Sequence, residues 1–563
     1  MDKRRDPLEE PIMGIRTWRF WAALLLISFL MVALGYPLIS VLNISLHDSS
    51  SAIWVEVLTD NYYLKIILFT FLQAAASTLL TLLIGIPSAY VFTRYSFPGK
   101  QFLRGLITVP FVMPPLVIAL GFIALFGDKG LINSAIEVTL NLEKSPFSVM
   151  NTVYAILLAH VIYEFTIVVR IVSAAWENLD PNIESAARML GANQWRAFIK
   201  VTLPLLLPSI IAAASLVFVF TFTSFGVVLI LGGTQYATME VSIYTLAAHL
   251  FQLPAAAVLT IIQMGITIML MALYARYQQR SATPFNLVQT KTATKNPRGI
   301  VDRALCLSNY LILLIVLSPL LALVARSFTS NGHLSLTGFT NIFSNQQDSF
   351  FFVSPIQAIA NSVLFGVCTV AIAVPVGILS ALLLGRSKHW GKAFLDSMLM
   401  IPLGISAVTM GFGFLIAYNQ GVLNLTGSPV IIVMAHVVIA YPFVLRSILP
   451  ILRSMSPSLK EAAQMLGASK TRILLRIDFP IIWRGIVVGM VFAFAVSLGE
   501  FGATLLLHRP EHTTMPVAIF RYLGQPGASN LLQALSMSCV LMFVSGAGFV
   551  AIERLRFRNL GSF

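Results

Sequence analysis

The sequence predicts an all-α polytopic membrane protein, with about twelve transmembrane helices arranged as two parallel repeats of six. Three observations predict it. Of 563 residues, 57% are hydrophobic and only 11% are charged, against about 25% charged in a soluble domain. Apolar runs of the roughly 20 residues needed to cross a bilayer recur along the whole chain. And "SAARMLGANQWRAFIKVTLP", beginning at Ser185, is echoed 276 residues later by "EAAQMLGASKTRILLRIDFP", beginning at Glu461.

In order, the candidate spans are 18–43, 62–92, 105–127, 150–172, 207–231, 255–275, 304–325, 357–385, 394–418, 429–449, 483–507 and 532–553. Each is expected to be a helix, because backbone groups in lipid must bond within their own segment. The first run, Trp21 to Ile39, follows a basic start and has no small-residue cleavage site after it. It is therefore expected to stay as the first membrane helix rather than leave as a signal peptide.

The repeat extends beyond the quoted loop. "LLAHVIYEFTIVVR", ending at Arg170, pairs with "VMAHVVIAYPFVLR", ending at Arg446, at the same offset of 276. Upstream, "RYSFPGKQFL" from Arg94 pairs with "RSKHWGKAFL" from Arg386 at an offset of 292, which Pro110 and Pro402 keep. The difference falls in the loop at 128–149. Six spans is an even number, so both repeats share one orientation, with a pseudo-two-fold axis expected along the membrane normal. The stretch 279–303 between them is polar, basic and rich in Thr and Asn, and reads as a solvated, mobile connection.

The net charge is +14. A basic balance can signal nucleic acid when it forms a patch, but here the charges sit between apolar segments. With the N-terminus inside, 30 of the 37 Lys and Arg residues fall on the inner side. The charge therefore reads as orientation, with both termini cytoplasmic and no nucleic-acid partner. Cys306, Cys368 and Cys539 lie in apolar runs without metal-ligand spacing and read as small buried hydrophobes.

Each quoted loop opens with a helix-start signal, Asp180-Pro181 or Ser456-Pro457, and Pro suits the first helical position. A short helix with Ala-Ala then runs to Gly191 or Gly467, where glycine permits a left-handed turn. A second amphipathic segment closes at Pro204 or Pro480. Small Ala side chains allow close approach, and two matched copies imply a partner with two equivalent sockets. The plainer alternative is an amphipathic loop lying on the membrane.

The second copy, "EAAQMLGASKTRILLRIDFP", resembles the EAA loop of ABC-importer inner-membrane permeases. The chain as a whole resembles a fused two-domain permease of the ferric-iron and thiamine type. On that resemblance, 1–278 is a first six-helix permease domain with its loop at 180–204, 279–303 a cytoplasmic linker, and 304–563 a second domain with its loop at 456–480. The resemblance implies ATPase coupling by Glu461, Ala462, Ala463 and Gly467, and by their counterparts Ser185, Ala186, Ala187 and Gly191. Ser185 takes the acidic position, and Glu184 lies one residue earlier. Also implied are two copies of a separate ATPase subunit, a periplasmic or lipid-anchored solute-binding protein, and a bacterial inner membrane. "SLGEFGATLLLHRPEHTTMPVAIFRYLGQPG", from Ser497, is similar to stretches of molybdate and sulfate permeases.

The chain contains no G-x-x-x-x-G-K-[ST] loop; "PGKQFL" at Pro98 lacks the upstream glycine and the Ser/Thr. It is expected to bind no cofactor or metal and to carry no catalytic residue, ATP being used by the partner. Two acidic residues fall inside spans. Glu500 aligns with Ser224, and Glu164 with Ala440. A mid-span carboxylate costs about 2.5–3.5 kcal/mol, so it should face protein or water. Ser224, Glu500 and Glu164 therefore form either an acidic pathway for a cationic solute or helix-end groups bonded to Thr, Ser or Arg. His160 and His436 recur at matched positions and read as structural. Thr513, Thr514 and Pro516 are expected to shape an outer vestibule, with "TTMPVAIFRYLG" as a gate helix.

The function read from these features is import of a small solute, ferric iron first, thiamine second, then molybdate, sulfate or a polyamine. The competing class is an ion-coupled secondary transporter, which would need no ordered loop repeated twice. A membrane scaffold or receptor would need a signalling domain that these short loops do not supply.

Overall fold

Long apolar runs with no water to bond their backbones become helices, and the structure, a computed structural model, is built of them. It describes residues 12–47, 50–142, 149–233, 235–281, 294–330, 332–343, 354–385, 396, 398–419, 424–425 and 427–557. Among these, eleven helices are long and apolar enough to cross a membrane, or twelve with one bent pair counted as a span. Among the described residues the expected all-α architecture holds, with a two-residue hairpin pairing Thr329–Ser330 with His333–Leu334.

Two predicted spans are not single rods. The third breaks between Lys100–Val112 and Pro115–Phe126, with Met113 and Pro114 extended. The ninth is bent by 108° between Met398–Gly404 and Ala407–Asn419. Ile405 is extended there, at the position equivalent to Met113. Pro114 has no N–H to bond and pushes its predecessor out of the helical region. At the matching Ser406, the side chain instead accepts from Thr409 N at 3.0 Å and starts the next helix. The fifth and eleventh spans also end early, at Phe222 and Gly499, and short helices Gly226–Leu231 and Gly502–Leu507 follow each break.

The chain divides into two compact units that cross the sequence repeats. One holds the first span, the chain from Ile359 to His512 and the end of the last span; the other holds Ser45 to Ala358 and Thr513 to Gly546. The first span of each repeat thus packs in the unit built from the other repeat. In one unit a Cβ at Gly413 would lie 3.2 Å from Pro37 of the first span, and Tyr418 Oη donates to Val32 O at 2.7 Å. In the other, a Cβ at Gly121, the equivalent of Gly413, would lie 2.7 Å from Pro319 O of the seventh span. Glycine is needed at both because a side chain would push the helices apart.

A second matched crossing holds each unit's centre. A Cβ at Gly85 would lie 2.6 Å from Val168 Cγ1, and one at Gly377 would lie 2.6 Å from Val444 Cγ1. Valine is stiff at χ1 and cannot swing aside. Gly377→Ala is expected to cost about 1–3 kcal/mol through overpacking. Adding Val444→Ala should recover most of it. Thermal unfolding of the four proteins in detergent checks this, and a Gly377→Ala protein melting like the parent would refute the close crossing.

The linker is less free than expected. Its last described part docks on the end of the second span. Lys295 N donates to Arg94 O and Ser96 N to Lys295 O, each at 2.9 Å. Tyr95 Oη donates to Asp302 Oδ1 at 2.9 Å. Burial pushes the Tyr95 phenol well above its usual range, which keeps it a donor. Phe97 meets Tyr310 edge-on at 5.5 Å. Residues 282–293 and the 386–395 segment lie outside the described residues.

Candidate functional site

Two places in the fold carry the sequence-predicted residues: the repeated loops and the broken fifth spans.

The first loop helix is Pro181–Met189, opened by the Asp180 side chain accepting from Asn182 N at 2.9 Å. It closes with Ala192 N donating to Ala187 O at 3.1 Å, around Gly191 at φ 87°. The second is Pro457–Met465, closed by Ala468 N donating to Ala463 O at 3.0 Å, around Gly467 at φ 76°. Both closures are the six-to-one bond of a helix ended by a left-handed glycine. A side chain at either glycine would meet nothing within 4 Å, so glycine is there for its dihedral angle and not for space. Each loop helix is followed by a short helix and a π-helical stretch, Phe198–Thr202 or Leu474–Asp478, that runs without a gap into the next span. Each loop helix is thus separated from the root of that span by one turn and a short helix.

The predicted residues keep the same exposure in both copies. Ser185, Ala186 and Gly191 are exposed, as are Glu461, Ala462 and Gly467, while Ala187 and Ala463 are half-buried. Glu184 does not take the acidic position. It stands where the second copy has Lys460, turned toward the body of the protein in an ion pair with Arg94. The outward position is a serine in one copy and a glutamate in the other. The sequence reading missed the apolar tips. Met189 and Leu190 are 88% and 89% exposed, and Met465 and Leu466 are 89% and 88% exposed. Two large apolar side chains are thus held fully in the open at matched places in the two loops. The signal was the shared Met-Leu-Gly, hidden beside the Ala-Ala.

The second place is a polar hub at the break in each fifth span. In the first repeat, His160 joins Ser77 Oγ at 3.2 Å through Nδ1 and Ser224 Oγ at 2.9 Å through Nε2. Gln73 Nε2 donates to Thr221 O at 2.9 Å, satisfying a carbonyl that the break frees. In the second repeat, His436 Nδ1 meets Ser497 Oγ at 2.7 Å, and its Nε2 meets Thr504 Oγ1 at 2.8 Å and Glu500 Oε2 at 3.2 Å. Ser497 reaches Thr369, the equivalent of Ser77, at 3.2 Å.

Glu500 is a helix-end group. Its Oε1 accepts from Ala503 N at 2.8 Å and its Oε2 from Thr504 N at 2.9 Å, with a further bond from the Thr504 hydroxyl. It starts the helix Gly502–Leu507 and joins the first turn of that helix to His436. Ser224 is the simpler counterpart. Glu164 lies one turn beyond His160 and is buried, with no hydrogen-bond partner for Oε2 among the described residues. Glu164 and Glu500 belong to different compact units. The arrangement holds two interrupted helices inside apolar surroundings by satisfying their freed groups, which is how irregular backbone survives at membrane depth.

The family description that matches this chain is the binding-protein-dependent transport system inner membrane component, at residues 81–283 and 373–556. The two matches start 292 residues apart, the upstream offset of the repeat, and both leave out the first span of their half. Among curated relatives, the chain is 26% identical over 522 residues to the thiamine transport system permease protein of Escherichia coli (strain K12), covering 90% of this chain and 92% of that protein. It is 26% identical over 496 residues to the thiamine transport system permease protein of Brucella abortus (strain 2308), covering 86% and 87%. It is 23% identical over 555 residues to a probable ABC transporter permease protein of Sinorhizobium fredii, covering 95% and 96%.

Proposed function

Since the chain belongs to the binding-protein-dependent transport system inner membrane components, we propose that it forms the membrane passage of a thiamine importer driven by a separate ATPase. It is a multi-pass permease subunit of the inner membrane. The observation that carries thiamine is similarity along nearly the full length of fused two-domain permeases named for that vitamin, at 26% identity. Ferric iron, placed first from the fused architecture and Glu500, finds no support. The relatives here that are named for a solute are named for thiamine, and the Glu500 carboxylate is engaged by its own helix and His436.

In this reading both termini and both loops face the cytoplasm. The Met-Leu tips and exposed Ala faces seat in two ATPase subunits. Nucleotide binding draws the loop helices together. Because the short helix and π-helical stretch after each loop helix continue into the next span, that motion reaches the broken helices and their polar hubs. The passage then opens away from the cytoplasm, to a solute-binding protein that delivers its load.

Deleting the chain from a thiamine-requiring strain is expected to abolish high-affinity uptake of radiolabelled thiamine, and the intact chain to restore it. Undiminished thiamine uptake together with lost uptake of ferric iron would reverse the order of substrates.

A further inference from the structure

Among the described residues, a charged side chain ties each loop helix to the body of the protein, and the two ties have opposite polarity. In the first repeat the anion is on the loop helix: Glu184 pairs with Arg94, the last residue of the second span, and their side chains are only 17% and 20% exposed. In the second repeat the cation is on the loop helix: Lys460 Nζ lies 2.9 Å from Asp478 Oδ1, and the Asp478 side chain is 0% exposed. Glu184 and Lys460 are equivalent, 276 residues apart, and so are Thr202 and Asp478. The position of Arg94 is also basic in the second repeat, Arg386, which lies outside the described residues. A lysine at 460 gains nothing from a basic partner there. The residue that changes with it is 478, from the neutral Thr202 to an aspartate.

We infer that these two pairs are the positioning elements that set each loop helix on its unit, and that they couple the two loops to different helices: the second span in the first repeat, the eleventh in the second. The inference rests on the permease reading and deepens it. Arg94, Glu184, Lys460 and Asp478 become determinants of how the stroke is passed on. The chemistry is direct. Asp478 is buried at the end of a π-helical stretch, where a carboxylate left alone would be costly. Lys460 Nζ brings a cation to it and so joins the loop helix to the root of the span. Arg94 also sits beside the docked linker, since its carbonyl accepts from Lys295 N. The first loop is thereby joined to the strap that leads to the seventh span.

The test converts one tie into the other. Glu184→Lys places like charges at Arg94 and should speed amide exchange across Pro181–Ala192 about tenfold in the full-length protein in nanodiscs. Adding Thr202→Asp recreates the second repeat's pair and should return exchange to near the parent value. Uptake of radiolabelled thiamine should fall with Glu184→Lys and recover in the double variant. Lys460→Gln takes the cation from the buried Asp478 carboxylate in the other repeat, with faster exchange expected across Pro457–Ala468 and no change in the first loop. A double variant that exchanges as fast as the single, or full uptake by a single variant whose loop helix is loosened, overturns the inference. Exchange needs neither solute nor ATPase, so it reads the ties even if the parent chain takes up no thiamine, a result that would sink the substrate reading alone.

Discussion

Glu500→Ala is expected to leave far less folded protein in the membrane than the parent. The carboxylate accepts two backbone N–H groups and one hydroxyl at the start of Gly502–Leu507, and it faces His436. All of these partners are buried. Removing one partner of a buried, hydrogen-bonded charged group costs about 3–5 kcal/mol, a large part of a typical folding free energy. Glu500→Gln keeps one acceptor oxygen and loses the charge, so its cost should be about 1–2 kcal/mol. Thermal unfolding in detergent orders the three proteins as parent, Gln, Ala.

The same pair of variants separates the two roles the sequence left open. If Glu500 only starts a helix, Glu500→Gln should transport at the parent rate per folded molecule. If it also receives the solute's positive charge, Glu500→Gln should fold well and transport poorly. The geometry favours the first outcome, because both oxygens are already spent on the protein. Ser224→Ala makes the complementary check. It removes one bond to His160 and should be mild, about 1 kcal/mol.

Hydropathy made the spans legible, and the repeat made the loops legible, for physical reasons that also mark their limits. A run such as 394–418 averages to one span even though its middle is bent, because an apolar window does not sense a backbone turned at Ile405. Pro114 sits at the first break, yet the predicted span 105–127 runs straight through it, and its equivalent Ser406, which starts a helix by accepting a bond, looks ordinary in sequence. The exchange of first spans could not be read at all: Pro37 and Pro319 are apolar on every side, and nothing in composition says which glycine they will meet. Glu184 was the instructive case. Its place beside Ser185 suggested a shifted acidic residue. The alignment itself already set it opposite Lys460, and only the structure shows that both face inward to charges on other segments. Met189 and Leu190 went unremarked because apolar residues are unremarkable in so apolar a chain, and only their exposure makes them informative.

Gly467→Val should abolish transport while leaving the protein folded. Gly467 has φ 76° and open space around its missing side chain. The penalty is therefore one of backbone conformation, about 1–2 kcal/mol for an L-residue in the left-handed region and more for a β-branched one. The chain can escape it by letting φ turn negative. That unwinds the closing turn, breaks the bond from Ala468 N to Ala463 O, and carries Met465 and Leu466 away from their display. The site lies at the surface of its unit, so the spans should melt as before, while uptake falls by about a hundredfold or more if misplacing a transmitting element by an ångström is as costly as in catalysis. Asparagine tolerates the left-handed region, so Gly467→Asn should keep most of the activity. Uptake by the Val and Asn variants, with thermal unfolding as the control, tests the argument. Equal loss in both would mean that the turn needs the absence of a side chain for a partner's approach. Equal activity in both would mean that the loop helix does not carry the stroke. The same substitutions at Gly191 should behave alike, since its φ of 87° and its open surroundings match. A lesser effect there would show that the loop with Ser185 in the acidic position carries less of the coupling than the loop with Glu461.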